Sequence, residues 1–264
     1  MGENMDENTT AAVLALRQEL GLENEDECKQ SDAILIKFVG WKADLARQAQ
    51  CWQNLQQWKS ENKELLTPPL RLTQDPDLKR LIQEGIMTQP PITDKDGRPI
   101  LFGRLRLNNT SDGRTAEMVA RMAMYNIEVM LNRPEAISNG IVVVHDFSGL
   151  KMSNIMPRVP ALILDVILGH KLPIRVAGVY FVNAPFFFPA VKAIIGAGMT
   201  PKMRKRLHRV PSLDTLSTIL GVDLTTLEIL FERIDDIHSQ SAWVEQRIEI
   251  ENSNADADSL LLAV

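Results

Sequence analysis

The chain has 264 residues, carries 29 Lys+Arg against 34 Asp+Glu for a net charge of −5, and is 45% hydrophobic and 24% charged. That composition fits a soluble globular protein with a sizeable core and excludes wholesale disorder; the net acidity argues against a general nucleic-acid binder, because such binding rests on phosphate neutralisation. Two cysteines, Cys28 and Cys51, cannot form a disulfide framework, and with no signal peptide apparent a reducing, cytosolic setting is expected.

Residues 1–30 are acidic, with eight Asp or Glu against Arg17 and Lys29, and the first ten read as a frayed tail. A short helix over Ala11–Leu20 ends at Gly21. Ile34, Phe38, Trp41 and Leu45 recur at helical spacing, and Ala49, Trp52 and Leu55 continue it in a second helix capped by Asp44 and running to about Trp58. Thr67-Pro68-Pro69 closes this helical unit. A short helix, Leu78–Glu84, follows Asp75-Pro76. The turn Asp94-Lys95-Asp96-Gly97 leads into a strand over Pro99–Leu107, and then a long amphipathic helix runs from Thr115 to Leu131. Ile141-Val142-Val143-Val144 is a continuous apolar run suited to a strand buried on both faces. A helix over Met152–Gly169 and a second buried strand, Val176–Val182, complete a strand–helix–strand crossover. An apolar helix over Pro189–Ile195 and a basic one over Pro201–Leu207, capped by Thr200, come next; the end of the chain is acidic and polar. The longest apolar stretch, 177–191, contains Asn183, Pro185 and Pro189 and is too short and broken to span a bilayer.

Catalytic and cofactor motifs are wanting. His145, His170, His208 and His238 form no metal-spacing pair, and Phe147-Ser148-Gly149 lacks the frame of a nucleophile elbow. Gly196-Ala197-Gly198-Met199-Thr200-Pro201-Lys202 has proline where a phosphate loop needs glycine, and a helix where a strand should precede it. No metal, no cofactor and no enzymatic activity are therefore expected. An α/β oxidoreductase or hydrolase with scattered residues ranks third among the readings.

Three features stand out: the strand, proline turn and apolar helix of Tyr180-Phe181-Val182-Asn183-Ala184-Pro185-Phe186-Phe187-Phe188; the basic run Lys202, Arg204, Lys205, Arg206 and Arg209; and the segment Asp94–Ile100. Asp96-Gly97-Arg98-Pro99, Val144-His145-Asp146-Phe147-Ser148-Gly149, Leu172-Pro173-Ile174-Arg175-Val176, Val182-Asn183-Ala184-Pro185 and Thr200-Pro201-Lys202-Met203-Arg204-Lys205-Arg206 occur in an order and spacing that resembles the CRAL-TRIO lipid-binding family, nearest its tocopherol-transfer and retinaldehyde-binding branch. The resemblance covers about residues 30–220. A closing Pro-x-x-Tyr-Gly-Gly segment of that family is replaced here by Gly221-Val222-Asp223-Leu224.

The resemblance implies an α/β domain, a mixed and mainly parallel sheet with flanking helices and a gate helix, at 76–245. A small all-helical subdomain at 1–75 would precede it and a flexible tail at 246–264 would follow. It implies an apolar pocket walled by Val143, His145, Leu164, Ile167, Leu168, Val179 and Phe181, under a gate carrying Phe187, Phe188, Val191, Ile194 and Ile195. From spacing alone the gate residues also read as core. His145 reads either as a ligand partner or as a satisfied core histidine, and His170 as structural. A phosphoinositide or other anionic-membrane contact would use Arg175, Lys202 and Arg206, with Lys42 as a fourth position and Arg204 and Arg209 beside them. Ala177 stands where that cleft has a further cation, and a solvated basic face is the plainer alternative. Leu262-Ala263-Val264 resembles a PDZ-type peptide ligand or is a frayed end. The expected function is transport of one hydrophobic lipid, tocopherol- or retinoid-like or a phospholipid, with transient membrane association. The rival reading is a phosphoinositide-sensing or trafficking adaptor.

Overall fold

The computed structural model describes residues 7–22, 32–197, 199–253 and 259–261. Helices α1 (Glu7–Glu19), α2 (Asp32–Trp41) and α3 (Leu45–Glu61) pack on one another, and α4 (Pro76–Gln83) leads to β1 (Met87–Thr88) and β2 (Ile100–Arg104). Then come α5 (Ala116–Met130), α6 (Pro134–Asn139), β3 (Ile141–Asp146), α7 (Arg158–Leu168), β4 (Val176–Val182), α8 (Phe188–Gly196), α9 (Pro201–Arg204) and β5 (Leu207–Val210). Helices α10 (Leu213–Leu220), α11 (Leu224–Glu232) and α12 (Gln240–Asn252) complete the chain. The sheet runs β1-β2-β3-β4-β5, antiparallel at β1/β2 and parallel elsewhere. Because the parallel strands are added in one direction, crossovers of constant hand put their helices on one face. Helices α5, α7 and α8 lie there, while Ile100, Phe102, Val142 and Val144 on the other face pack against Leu216, Leu220, Leu227 and Leu230 of α10 and α11.

Local signals placed most ends. Asp44, Asp75 and Thr115 each accept a backbone N–H from the first turn of α3, α4 and α5, satisfying a donor the helix leaves open. Gly21 sits past α1 at φ +67°, a conformation that costs glycine little.

Several sequence expectations need correction. Helix α1 begins at Glu7, inside the expected frayed tail. The segment 152–169 is a 3₁₀ turn, Met152–Asn154, followed by α7, because Pro157 disfavours helical backbone at Met156. The strand expected to reach Leu107 stops at Arg104 and turns through 3₁₀ backbone. The basic helix ends at Arg204; Leu207 belongs to β5, where pairing with Val179 offers its backbone a ladder partner. Of the tail expected to be flexible, residues 246–253 and 259–261 are described, and these are packed. Helix α12 runs through Asn252, and Leu260 and Leu261 are each 2% exposed in the main core. Leu260 N–H donates to Glu128 Oε1 at 2.7 Å, and its carbonyl accepts from Lys59 Nζ at 3.2 Å. Residues 262–264 lie outside the described residues.

The N-terminal helices share that core with the α/β part. Trp41 Nε1 donates to Ile174 O at 3.1 Å and Trp58 Nε1 to Asp165 Oδ2 at 3.0 Å. Buried Lys37 and Glu128 pair at 3.7 Å. Glu251 of α12 accepts from Leu72 N, Thr73 N and Tyr125 Oη, tying the end of the described chain to residues after α3.

Candidate functional site

Side chains alternate across a strand, so Val143 and His145 of β3, Val179 and Phe181 of β4, Leu101 of β2 and Leu207 of β5 face the same side of the sheet. Helices α5, α7 and α8 roof that side without filling it. They leave a cavity of ≈ 220 Å³ with an overwhelmingly apolar wall. Of the pocket residues named from the sequence, Val143, His145, Leu164, Ile167, Val179 and Phe181 line it, as do Val191, Ile194 and Ile195 of α8. The side chain of Leu168 lies outside the described residues. Phe187 and Phe188 do not line the cavity: Phe188 is buried beside it, its ring 6.0 Å from Phe147 and 5.1 Å from Phe181, and Phe187 packs edge-on to Phe186 at 5.3 Å. The α5 wall, Val119, Met122, Ala123 and Ile127, was missed, because α5 is apolar on several faces and its pattern does not single out one. The cavity falls short of the roughly 300–1,000 Å³ of typical small-molecule sites, so a lipid of any length needs the roof to move outward.

Polar groups in the wall are few. Asn108 and Asn154 occupy one another's backbones: Asn108 Nδ2 donates to Asn154 O at 2.8 Å and Asn154 Nδ2 to Asn108 O at 2.9 Å. His145 has no such partner. Its ring stacks on Phe181 at 5.6 Å between centroids and lies 5.9 Å from Phe147, and its buried Nδ1 makes no hydrogen bond. Gly103, its neighbour in register on β2, makes room for it; a Cβ there would stand 2.3 Å from Nδ1. Burial pushes the imidazole pKa down to about 4, so the ring is neutral.

The turn into α8 is rooted in a polar knot. Asp146, 1% exposed at the end of β3, accepts from Asn183 Nδ2 at 2.9 Å, Ser148 N at 2.9 Å, Ser148 Oγ at 2.7 Å and Arg106 Nη1. Burial alone would raise its pKa; the bonds from Asn183, Ser148 and Arg106 outweigh it and hold the carboxylate low. Asn183 takes φ +55°, a left-handed conformation that Asn tolerates better than most residues. It starts the turn into α8. At that turn Phe186 stands 94% exposed. The triple phenylalanine was visible in the sequence, but which of the three points outward was not.

A basic cluster assembles from distant parts of the chain. Lys42 follows α2, Arg47 lies in α3, Arg175 precedes β4, Lys202 lies in α9 and Arg206 follows it. The pKa of Lys42 is lowered first by its partial burial and then by repulsion from Arg175, Arg47, Lys202 and Arg206, so these charges share one neighbourhood. Arg175 Nη2 donates to Ile137 O at 2.9 Å and to Ser138 O, and Arg206 Nη1 to Val176 O at 2.6 Å; both are held in place while still presenting charge. Lys202 is exposed. Arg47 was missed, since a lone arginine on a helix face carries no signal by itself. Arg204 is tied to Met199 O at 3.0 Å, and Arg209 lies exposed on β5.

An apolar cavity roofed by a helix on one face of a mainly parallel sheet, buttressed by N-terminal helices, defines the class of protein. Residues 83–222 match the family described as the CRAL/TRIO domain, and the chain belongs to that family of lipid-binding proteins. It is 26% identical over 184 residues to Clavesin-1 of Rattus norvegicus, covering 68% of this chain and 51% of that one. With Clavesin-2 of Homo sapiens it shares 29% over 136 residues, covering 50% and 41%. The chain thus spans about half the length of the curated relatives it matches. A solved structure of Sfh5 superposes with a TM-score of 0.55 at 15% identity, covering 94% of this chain and 100% of the other, which is a likeness of fold. The match over 83–222 establishes the family, and neither it nor the clavesin likenesses single out the tocopherol-transfer and retinaldehyde-binding branch. Among the described residues, no helix is long and apolar enough to cross a membrane.

Proposed function

We propose that the chain is a non-enzymatic carrier that encloses one hydrophobic lipid beneath α8 and exchanges it at anionic, phosphoinositide-bearing membranes, working from the cytosol. The observation that carries this reading is the apolar cavity under a helix whose entry turn bears an exposed phenylalanine. A lipid in water costs about 0.8 kcal/mol for every exposed CH₂. A closed cavity removes that cost. Opening against a membrane lets Phe186 and the inner face of α8 enter the interface, so the membrane favours the open form by binding it better. In this reading residues 1–75 form the helical buttress and 76–245 the lipid domain. The basic cluster supplies the docking charge and orients the gate toward the bilayer.

Native mass spectrometry of freshly purified protein tests the proposal. A lipid retained at one per chain supports it; a chain that stays empty and takes up none of a broad lipid panel overturns it. The basic cluster also favours a second reading, an adaptor for which a phosphoinositide is the signal. An empty cavity together with cluster-dependent vesicle binding is the outcome that reading expects.

A further inference from the structure

We infer that residues 259–261 are a strap that makes α5 the fixed wall of the cavity, so that a lipid is held firmly only while the strap is seated. This rests on the carrier reading above and deepens it: it assigns which wall stays still and what holds it.

Helix α5 carries two opposed faces. At about 3.6 residues per turn, Val119, Met122, Ala123 and Ile127 fall on one side and line the cavity. Arg121, Tyr125 and Glu128 fall on the other side, all of them buried, and each is tied to a different segment. Arg121 Nη2 donates to Asp75 Oδ2 at 2.6 Å, and Nη1 donates to Leu65 O. Tyr125 Oη donates to Glu251 Oε1 of α12 at 2.8 Å. Glu128 Oε1 accepts from Leu260 N at 2.7 Å. Helix α8 is the contrast: Lys192 is its one polar side chain, and among the described residues it makes no hydrogen bond or ion pair. Hydrogen bonds are directional and apolar contact is not. A wall held by three such anchors resists the outward movement that a lipid needs, whereas a wall held by apolar contact alone can slide.

Leu260 is the anchor that joins two elements. Its N–H is held by Glu128 of α5 while its carbonyl accepts from Lys59 Nζ of α3 at 3.2 Å, so charged side chains take both main-chain groups of one residue. Lys59 and Glu128 are 3% and 5% exposed. Burial pulls the Lys59 pKa down to about 8 against the attraction of Glu128, so the strap seals the pair from water. Leu261 is buried in the same core. Two oxygens in this seat are left over: Ser259 Oγ and Glu128 Oε2 are buried without a hydrogen bond. Water serves such groups better than burial does. Lifting the strap hydrates two charges and two unpaired oxygens, which offsets part of the apolar burial lost with Leu260 and Leu261. Of the three anchors on α5, the strap is therefore the one that opens at least cost.

The test uses the full chain with Leu260→Asp and Leu261→Asp, which unseat the strap, and cis-parinaric acid as a fluorescent probe. Release of bound probe to excess phosphatidylcholine vesicles is followed by stopped-flow fluorescence, and backbone amide exchange by mass spectrometry. The variant is expected to release the probe about tenfold faster, the scale of one or two net hydrogen bonds, and to exchange its α5 amides faster while β3 and β4 keep their protection. A peptide of residues 258–264 added in trans should restore slow release and α5 protection; the same peptide with both leucines changed to Asp should not. Lys59→Met keeps the aliphatic stem and removes the donor, so it should speed release to a smaller extent, a readout that stands even where the double variant does not fold. Unchanged release in the folded variants, or exchange that rises equally in β3, β4 and α5 with no rescue by peptide, overturns the inference and leaves the carrier reading standing. A wild-type chain that takes up neither the probe nor any lipid of the panel overturns both.

Discussion

Removing two charges from the basic cluster tests how the protein meets a membrane. The perturbation is Lys42→Gln with Lys202→Gln. These two are chosen because neither anchors the fold through a hydrogen bond to the backbone, unlike Arg175 and Arg206, which hold Ile137 O, Ser138 O and Val176 O. Lys42 sits 5.4 Å from the Trp41 ring centroid, a modest attraction at a partly exposed site, while the cations around it repel it; the two effects oppose each other, so the melting temperature should hardly move. Each Lys near an anionic leaflet contributes about 1 kcal/mol. Losing two therefore removes about 2 kcal/mol, roughly a 30-fold drop in partition coefficient. Flotation with phosphoinositide-containing vesicles at about 0.1 M salt should show it, and 1 M salt, where the Debye length shrinks to about 3 Å, should erase the difference between variant and wild type. A matched control removes two exposed lysines on other elements, Lys63 and Lys95. Equal partition of the cluster variant and wild type, or an equal loss in the control, refutes the reasoning.

Four further outcomes follow from the geometry. Phe186→Ser removes a side chain that is 94% exposed, so stability should hold while vesicle partition falls by about 1.5–3 kcal/mol, roughly 10- to 150-fold; unchanged partition would show that the entry turn stays out of the interface. Leu260→Ala should lower unfolding free energy in urea by about 2–5 kcal/mol, since the side chain lies in the main core; a loss under about 0.5 kcal/mol would mean that residues 259–261 do not belong to the folded unit. His145 titrates near 4 in the folded chain against an ordinary value of 6.5. Between those values the unfolded chain holds the proton and the folded chain does not, so stability is lost as pH falls from about 6.5 toward 4, on the order of 3 kcal/mol in all; His145→Phe should lack that slope, and parallel pH profiles would contradict it. Gly103→Ala places a Cβ 2.3 Å from the imidazole, so it should displace His145 and shift its ¹⁵N signals even where the fold survives; unmoved signals would refute the close packing.

The sequence alone determined the elements whose causes are local. Asp44, Asp75 and Thr115 cap their helices because a side-chain oxygen three residues before an open N–H is a property of the local chain. The apolar runs at 141–144 and 176–182 mark the central strands because a strand covered on both sides cannot afford polar residues on either, and their alternation already placed Val143, His145, Val179 and Phe181 on one face. Motif order pointed to the family. What lay outside reach was whatever depends on residues far apart in sequence. The basic helix stops at Arg204 instead of running on to Leu207, because β4 offers Leu207 and the residues after it a ladder that the helix pattern does not reveal. Lys42 and Lys202 stand 160 positions apart in the chain, and only the fold brings them into one field with Arg175. Leu260 and Leu261 look like the end of a polar tail until Glu128 and Lys59 are seen to hold them. His145 shows the division most plainly. Its place on the strand follows from a period of two, but the unpartnered burial of its Nδ1 follows from Gly103 beside it on β2 and from the Phe181 ring stacked on it, and a hydrogen bond left unmade is a property of the surroundings, which no residue carries in its own identity.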